Sequence, residues 1–509
     1  MRDAEVNQAA RGDPGLAWLG ALPWCLGILL PQYYMALFGT GLVVFLLLVA
    51  MRWRDALAVI IFLSPLTMLI RASDPSDLLL ASFEEVMVAS LVCGYVLAPA
   101  RIRTGRLPAP AVASLVLMMV VIILEGVRSG SFLRAVFAIR EHCRYLPLAL
   151  VVGDSVAQRR VRARDVLWWI AAAGVAVCAF QLFYSFTDWH PFLTDVAHAA
   201  KETQETRYVA GWPLQRRVPV TFGGPSALCN VVCPAAVVWF VLAFEKRSGW
   251  FLRIATALGL LGTAALTVSS SEIIALWCAG ACALCAVLIT SLKSTRKKFG
   301  LGLAMAVFVG ILLLSNIRMG APMGRGWTVP ERVRSDPSVY TRHLTFTNVT
   351  TVFSGQGLEV VRGANFRADA WQPYGESLVD SGWSGLLPQM GLPISLWILF
   401  TMGLIVWMSV RAAAASLLEP SQGNRRDFTG LAACCGLGAC FGSVHVLPWE
   451  NYAGLDVIFV ALMGLAIGFC ARQVRVRGRV RPVDFERGDS ANPLTPLGHR
   501  TPIARPERF

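Results

Sequence analysis

From Gly15 to Ala471 the chain is a succession of apolar runs joined by short, arginine-rich connectors. The runs measure roughly 15–25 residues, the length a helix needs to cross a ~30 Å hydrocarbon slab. Lipid offers no partner for a backbone N–H or C=O, so only helices and closed barrels span it. Runs this long without polar alternation do not describe barrel strands. The expectation is an all-α polytopic membrane protein. Composition agrees, with 55% hydrophobic and 15% charged residues against about 25% charged in soluble chains. A soluble globular enzyme, a disordered chain and a disulfide scaffold are excluded on the same grounds.

About 14 transmembrane helices are expected, over Gly15–Leu30, Tyr34–Met51, Ala56–Ile70, Leu78–Ala98, Pro110–Val127, Phe132–Val152, Val166–Phe186, Val220–Phe244, Ile254–Val268, Ile273–Leu292, Phe299–Ile317, Gly385–Val410, Thr429–Leu447 and Tyr452–Ala471. Their sidedness follows from Lys and Arg, which favour cytoplasmic loops. With residues 1–14 taken as cytoplasmic, nineteen basic residues fall in the inner connectors, from Arg52 and Arg54 through Arg159, Arg160, Arg162 and Arg164 to Arg425 and Arg426. The short outer connectors hold only Arg71 and Arg128. No cleavable signal peptide is evident in the polar first 14 residues. Spans one to eleven then occupy 15–317, interrupted by an outer loop at 187–219; a large periplasmic loop fills 318–384 before the twelfth span; spans twelve to fourteen occupy 385–471. The basic tail 472–509 ends in the cytoplasm and is expected to be disordered and to touch anionic lipid.

The formal net charge is +14, but these positions assign it to orientation and lipid rather than to nucleic acid. The 13 Cys fall within or beside apolar runs. Cys278, Cys282 and Cys285 stand at helical spacing with no His or carboxylate between them, so they read as small packing residues. No metal site and no cofactor are expected, and no Walker motif is present.

Three clusters could carry chemistry. The stretch FLRAVFAIREHCRYLPLALVV places Arg140 and Arg144 four apart in an otherwise apolar span. A charge at a span centre costs about 2.5–3.5 kcal/mol on insertion scales, so such residues usually face a cavity or a partner. They suit an anion site, since paired guanidinium forks fit diphosphate oxygens. The alternatives are an internal salt bridge, with Glu141 neutralising Arg144, or snorkelling. Next, Arg216 and Arg217 precede a Gly-Gly-Pro break and a helix start, a place where backbone N–H groups also favour anions; lipid-headgroup anchoring is the competing reading. Finally Arg342, His343, Glu376 and Asp380 lie in the large loop before the twelfth span. Asp380 could act as general base or orient a hydroxyl, or merely cap the next helix.

In three segments the chain resembles the O-antigen ligase and polymerase superfamily of bacterial envelope glycosyltransferases. RRVPVTFGGPSALCNVVCP resembles the family's basic-then-G-T-F-x-x-P opening of a span, and LTVSSSEIIALWCAGACALCAVL its L-T-x-S-R helix start. Arg342 followed thirteen residues later by Gly355-Gln356-Gly357, and then DSGWSGLLPQMGL, resembles its loop and return to the membrane. Ligases of the family generally carry His-Asn eleven residues before a Gly; here the slot is Asp380-Ser381 before Gly391, which looks more like the polymerases. Glu272 stands where the family has a basic residue.

The resemblance implies an inverting, metal-independent glycosyl transfer at the periplasmic face of the inner membrane. Its substrate would be an undecaprenyl-diphosphate-linked oligosaccharide, and a chain-length regulator and a flippase would be its partners. Arg342, Arg216 and Arg217, with Arg140 and Arg144, would hold the leaving diphosphate. Asp380, with Glu376 in reserve, would serve the acceptor hydroxyl. A transporter or flippase for lipid-linked oligosaccharide is the competing class, but it needs no outer cap of this size.

Overall fold

A computed structural model of the protein describes residues 14–71, 78–97, 107–128, 132, 143–186, 225–244, 249–266, 270–292, 392–418, 427–444 and 453–479. Among them are twelve α-helices and one short 3-10 turn, with no strand. In chain order the helices are α1 (Pro14–Leu29), α2 (Tyr34–Arg71), α3 (Leu78–Leu97), α4 (Ala109–Arg128), α5 (Leu146–Ala157), α6 (Ala163–Phe186), α7 (Pro225–Ala243), α8 (Trp250–Leu266), α9 (Ser270–Ser291), α10 (Leu392–Leu418), α11 (Thr429–Val444) and α12 (Ala453–Arg479). Four carry stretches long and apolar enough to cross a membrane: Tyr34–Leu66, Ala163–Phe183, Ile274–Ser291 and Pro393–Leu418. Every expected apolar segment except Phe299–Ile317 has a helix over at least part of it. That segment, the large loop and the residues beyond Arg479 lie outside the described residues.

The 38 residues of α2 would reach about 57 Å as one straight helix. They do not run straight. A Cβ added at Gly20 of α1 would meet Leu48 at 2.6 Å and Val59 at 2.9 Å, although residues eleven apart stand about 16 Å apart along a helix. The chain therefore folds back between them, at Arg52, whose φ −143° and ψ 59° are not helical. The break falls where two charged residues, Arg52 and Arg54, interrupt the apolar run. Towards the other end of the first arm, about 21 Å from the break, Trp24 stacks on Phe38 at 5.3 Å and meets Phe83 of α3 edge-on at 4.9 Å, all three buried.

Contacts fix the relative directions of several other helices. Ser64 meets Glu84 and Trp53 meets Tyr95, so the second arm of α2 runs antiparallel to α3. Glu85 meets Arg144 and Tyr95 meets Asp154, so α3 and α5 run parallel. The α5–α12 pair is also parallel and is built on glycine. A Cβ at Gly464 would sit 2.7 Å from the Ala149 carbonyl oxygen, and one at Gly468 2.7 Å from that of Gly153. Between α9 and α11 the seam is antiparallel, with Cys278 opposite Gly442 and Cys282 opposite Gly438. Small residues let backbones approach where lipid supplies no hydrophobic drive to associate helices. The cysteines of α9 thus pack as small side chains. The C-terminal ends of α9 and α10 share one buried cluster, with Cys285 and Ile289 beside Val410 and Ala413.

One expectation is corrected. A helix over Phe132–Val152 would hold Arg144 mid-span; instead Cys143–Tyr145 form a turn, and α5 begins at Leu146 and runs past Val152 to Ala157. Pro147 is the physical reason. It lacks an N–H, which costs nothing in the first turn of a helix and about 3 kcal/mol or more in its interior. The turn delivers Arg144 to the open end of α5 rather than to the face of a continuous helix.

Candidate functional site

Of the residues expected to carry chemistry, Arg144 alone falls among the described residues; Arg140, Glu141, Arg216, Arg217, Arg342, His343, Glu376 and Asp380 lie outside them. Arg144 is held by α3. Its Nη1 donates to Glu85 Oε1 at 2.9 Å, with 10% of the Arg144 side chain and 21% of the Glu85 side chain exposed. The guanidinium carbon stands 4.5 Å from the centre of the Tyr145 ring, a cation–π distance that keeps the charge against an aromatic face. Arg144 thus pairs with Glu85; the pairing with Glu141 considered from sequence lies outside the described residues. One residue earlier, Glu84 is buried and accepts a hydrogen bond from Ser64 of α2. Two adjacent carboxylates on α3 thus face different partners, as the ~100° step between neighbouring helical residues requires.

A second polar cluster lies about 16 Å further along α3. Tyr95, buried, donates to Asp154 Oδ2, and Gln158 Nε2 reaches the same oxygen at 2.5 Å. Asp154 is buried to 2% exposure, and its Oδ1 meets no donor among the described residues. Trp53 packs edge-on against Tyr95 at 5.2 Å, which places this cluster beside the reversal of α2. At the end of α5, Arg159 adopts the left-handed region at φ 59°, and the N–H of Arg160 donates to the Ser155 carbonyl at 2.9 Å. That closure of the last helical turn brings the basic connector Arg159–Arg164 round to α6.

Chemically, the first cluster is a guanidinium paired with a carboxylate against an aromatic ring, and the second is a buried acceptor held by two neutral donors. Neither Glu85 nor Asp154 is among the residues singled out from the sequence. The signal was present, since an acid inside an apolar helix is functional or paired by default. Asn230 is a comparable case: wholly buried in α7, with neither amide atom hydrogen-bonded among the described residues. Compared with protein-family models and with curated proteins, the chain matches none.

Proposed function

We propose that the protein is a polysaccharide polymerase of the bacterial inner membrane, extending undecaprenyl-diphosphate-linked oligosaccharides at the periplasmic face. One observation carries most weight. The segments Arg216–Pro234, Leu266–Leu288 and Arg342–Leu392 follow one another in the order of the O-antigen ligase and polymerase superfamily, with their arginines on the side expected to face outward. A diphosphate leaving group develops negative charge at the lipid boundary, and guanidinium forks placed there stabilise it. Arg216, Arg217 and Arg342, with Arg140 and Arg144, take that role. Asp380, or failing it Glu376, orients or deprotonates the acceptor hydroxyl. The Trp faces of the outer loop stack on sugar rings.

Helix directions support the fourteen-span topology on which this sidedness depends. The ends of α9 and α10 meet at one end of the bundle, so an odd number of crossings joins them. The eleventh span expected over Phe299–Ile317 would supply that crossing and leave 318–384 on the outer side. The parallel runs of α3 with α5 and of α5 with α12 agree with their even-numbered places in the same count. Deleting the gene and examining the surface polysaccharide tests the proposal. Single repeats on their acceptor identify a lost polymerase. Polymer left on its lipid carrier identifies a ligase instead, and unflipped repeats on the cytoplasmic side a flippase.

A further inference from the structure

We infer that Glu85 is an exchangeable counter-ion for Arg144, displaced when a lipid-linked diphosphate takes the guanidinium. The inference rests on the proposed function only for the identity of the anion. A guanidinium cannot shed its charge in a protein, and an uncompensated charge in apolar surroundings is strongly unfavourable. An anion site built around Arg144 must therefore hold an anion when it is empty of substrate as well as when it is full. Glu85 meets that requirement at 2.9 Å.

Three features make the pair exchangeable rather than fixed. The two carboxylates on α3 differ: Glu84 is 1% exposed and tied to Ser64, whereas the Glu85 side chain is 21% exposed. Glu85 belongs to α3 and Arg144 to the turn before α5, so a change of Glu85 rotamer breaks this contact. The Tyr145 ring, 4.5 Å from the guanidinium carbon, is contributed by the same turn and keeps the charge in place when the carboxylate leaves. A diphosphate carries more negative charge than one carboxylate and accepts the fork bidentately. It wins the exchange, and Glu85 then lowers affinity for the anion by competing with it.

The test uses the full-length protein in detergent micelles, with thermal unfolding followed against added farnesyl diphosphate, farnesol or phosphatidylglycerol. Wild type is expected to gain stability from farnesyl diphosphate and nothing from farnesol. Glu85→Gln should start less stable and bind farnesyl diphosphate about tenfold more tightly, a factor equal to ~1.4 kcal/mol. The double variant Glu85→Gln/Arg144→Gln guards against a mere folding defect: it should regain the lost stability and respond to the diphosphate more weakly than wild type. Binding by Glu85→Gln no tighter than wild type overturns the inference, as does an undiminished response in Arg144→Gln. Equal stabilisation by phosphatidylglycerol overturns the diphosphate as ligand. Tighter binding in Glu85→Gln, together with unchanged polysaccharide in a deletion strain, supports the exchange and overturns the transferase alone.

Discussion

Tyr95 on α3 donates its phenolic hydrogen to Asp154 on α5, inside the bundle and 59 residues along the chain. Gln158 donates to the same oxygen, so this carboxylate draws on two helices for its hydrogen bonds. Removing the hydroxyl by Tyr95→Phe keeps the ring contact with Trp53 and leaves a buried acceptor short of one donor. The expected cost is about 1–3 kcal/mol, read as a lower unfolding midpoint of the purified protein. An unchanged midpoint would show that the bond contributes nothing net.

The glycine seams make a sharper comparison. Gly464→Ala drives a methyl group into the Ala149 carbonyl and the Val152 side chain, each 2.7 Å from the new Cβ. Overpacking of this kind costs about 1–3 kcal/mol. Gly259→Ala, in α8, meets nothing within 4 Å and should gain about 0.5–1 kcal/mol from helix propensity. Opposite shifts in unfolding midpoint are expected from the same chemical change, and equal shifts would contradict the close approach of α5 to α12.

Topology is open to a direct check. A reporter fused after Lys297 should be cytoplasmic and one after Arg362 periplasmic, because the proposed eleventh span lies between them. Finding both on one side would remove that span and put the outer loop on the wrong face.

In the proposed site, Arg342→Lys should retain only part of the polymer made by wild type, since a point charge cannot reproduce a bidentate fork. Asp380→Asn separates a base from a helix cap. Asn caps nearly as well as Asp, yet loss of a general base typically costs on the order of 10²–10⁴ in rate. Chain-length profiles on gels should collapse to single repeats, while the protein stays abundant in the membrane fraction. Normal chain lengths would leave Asp380 a cap and pass the role to Glu376, tested as Glu376→Gln.

How far the chain could be read in advance depended on whether the relevant physics was local. Apolar runs marked the helices because burial in lipid acts on each run separately, and Arg52 marked the reversal in α2 because charge does not belong inside a span. The start of α5 was misplaced because the run 132–152 is uniformly apolar around its charges, and Pro147 was the only clue to the turn. The Glu85–Arg144 pair joins residues 59 apart in sequence, and no periodicity encodes a contact between two helices that are not neighbours in the chain. The G-x-x-x-G spacings Gly438–Gly442 and Gly464–Gly468 carry a helix-contact signal that the sequence analysis did not use, and nothing in the sequence named α9 and α5 as their partners.

Those two seams also set the mechanics of the bundle. Where a glycine rests on a neighbour's carbonyl there is no side chain to bend, so small sliding meets backbone at once. The next available register is a whole helical turn away, about 5.4 Å. The α5–α12 pair therefore behaves as one stiff beam, and α9–α11 as a second. Compliance is left to places where side chains alone make the contact, and the Glu85–Arg144 joint between α3 and the first beam is one of them.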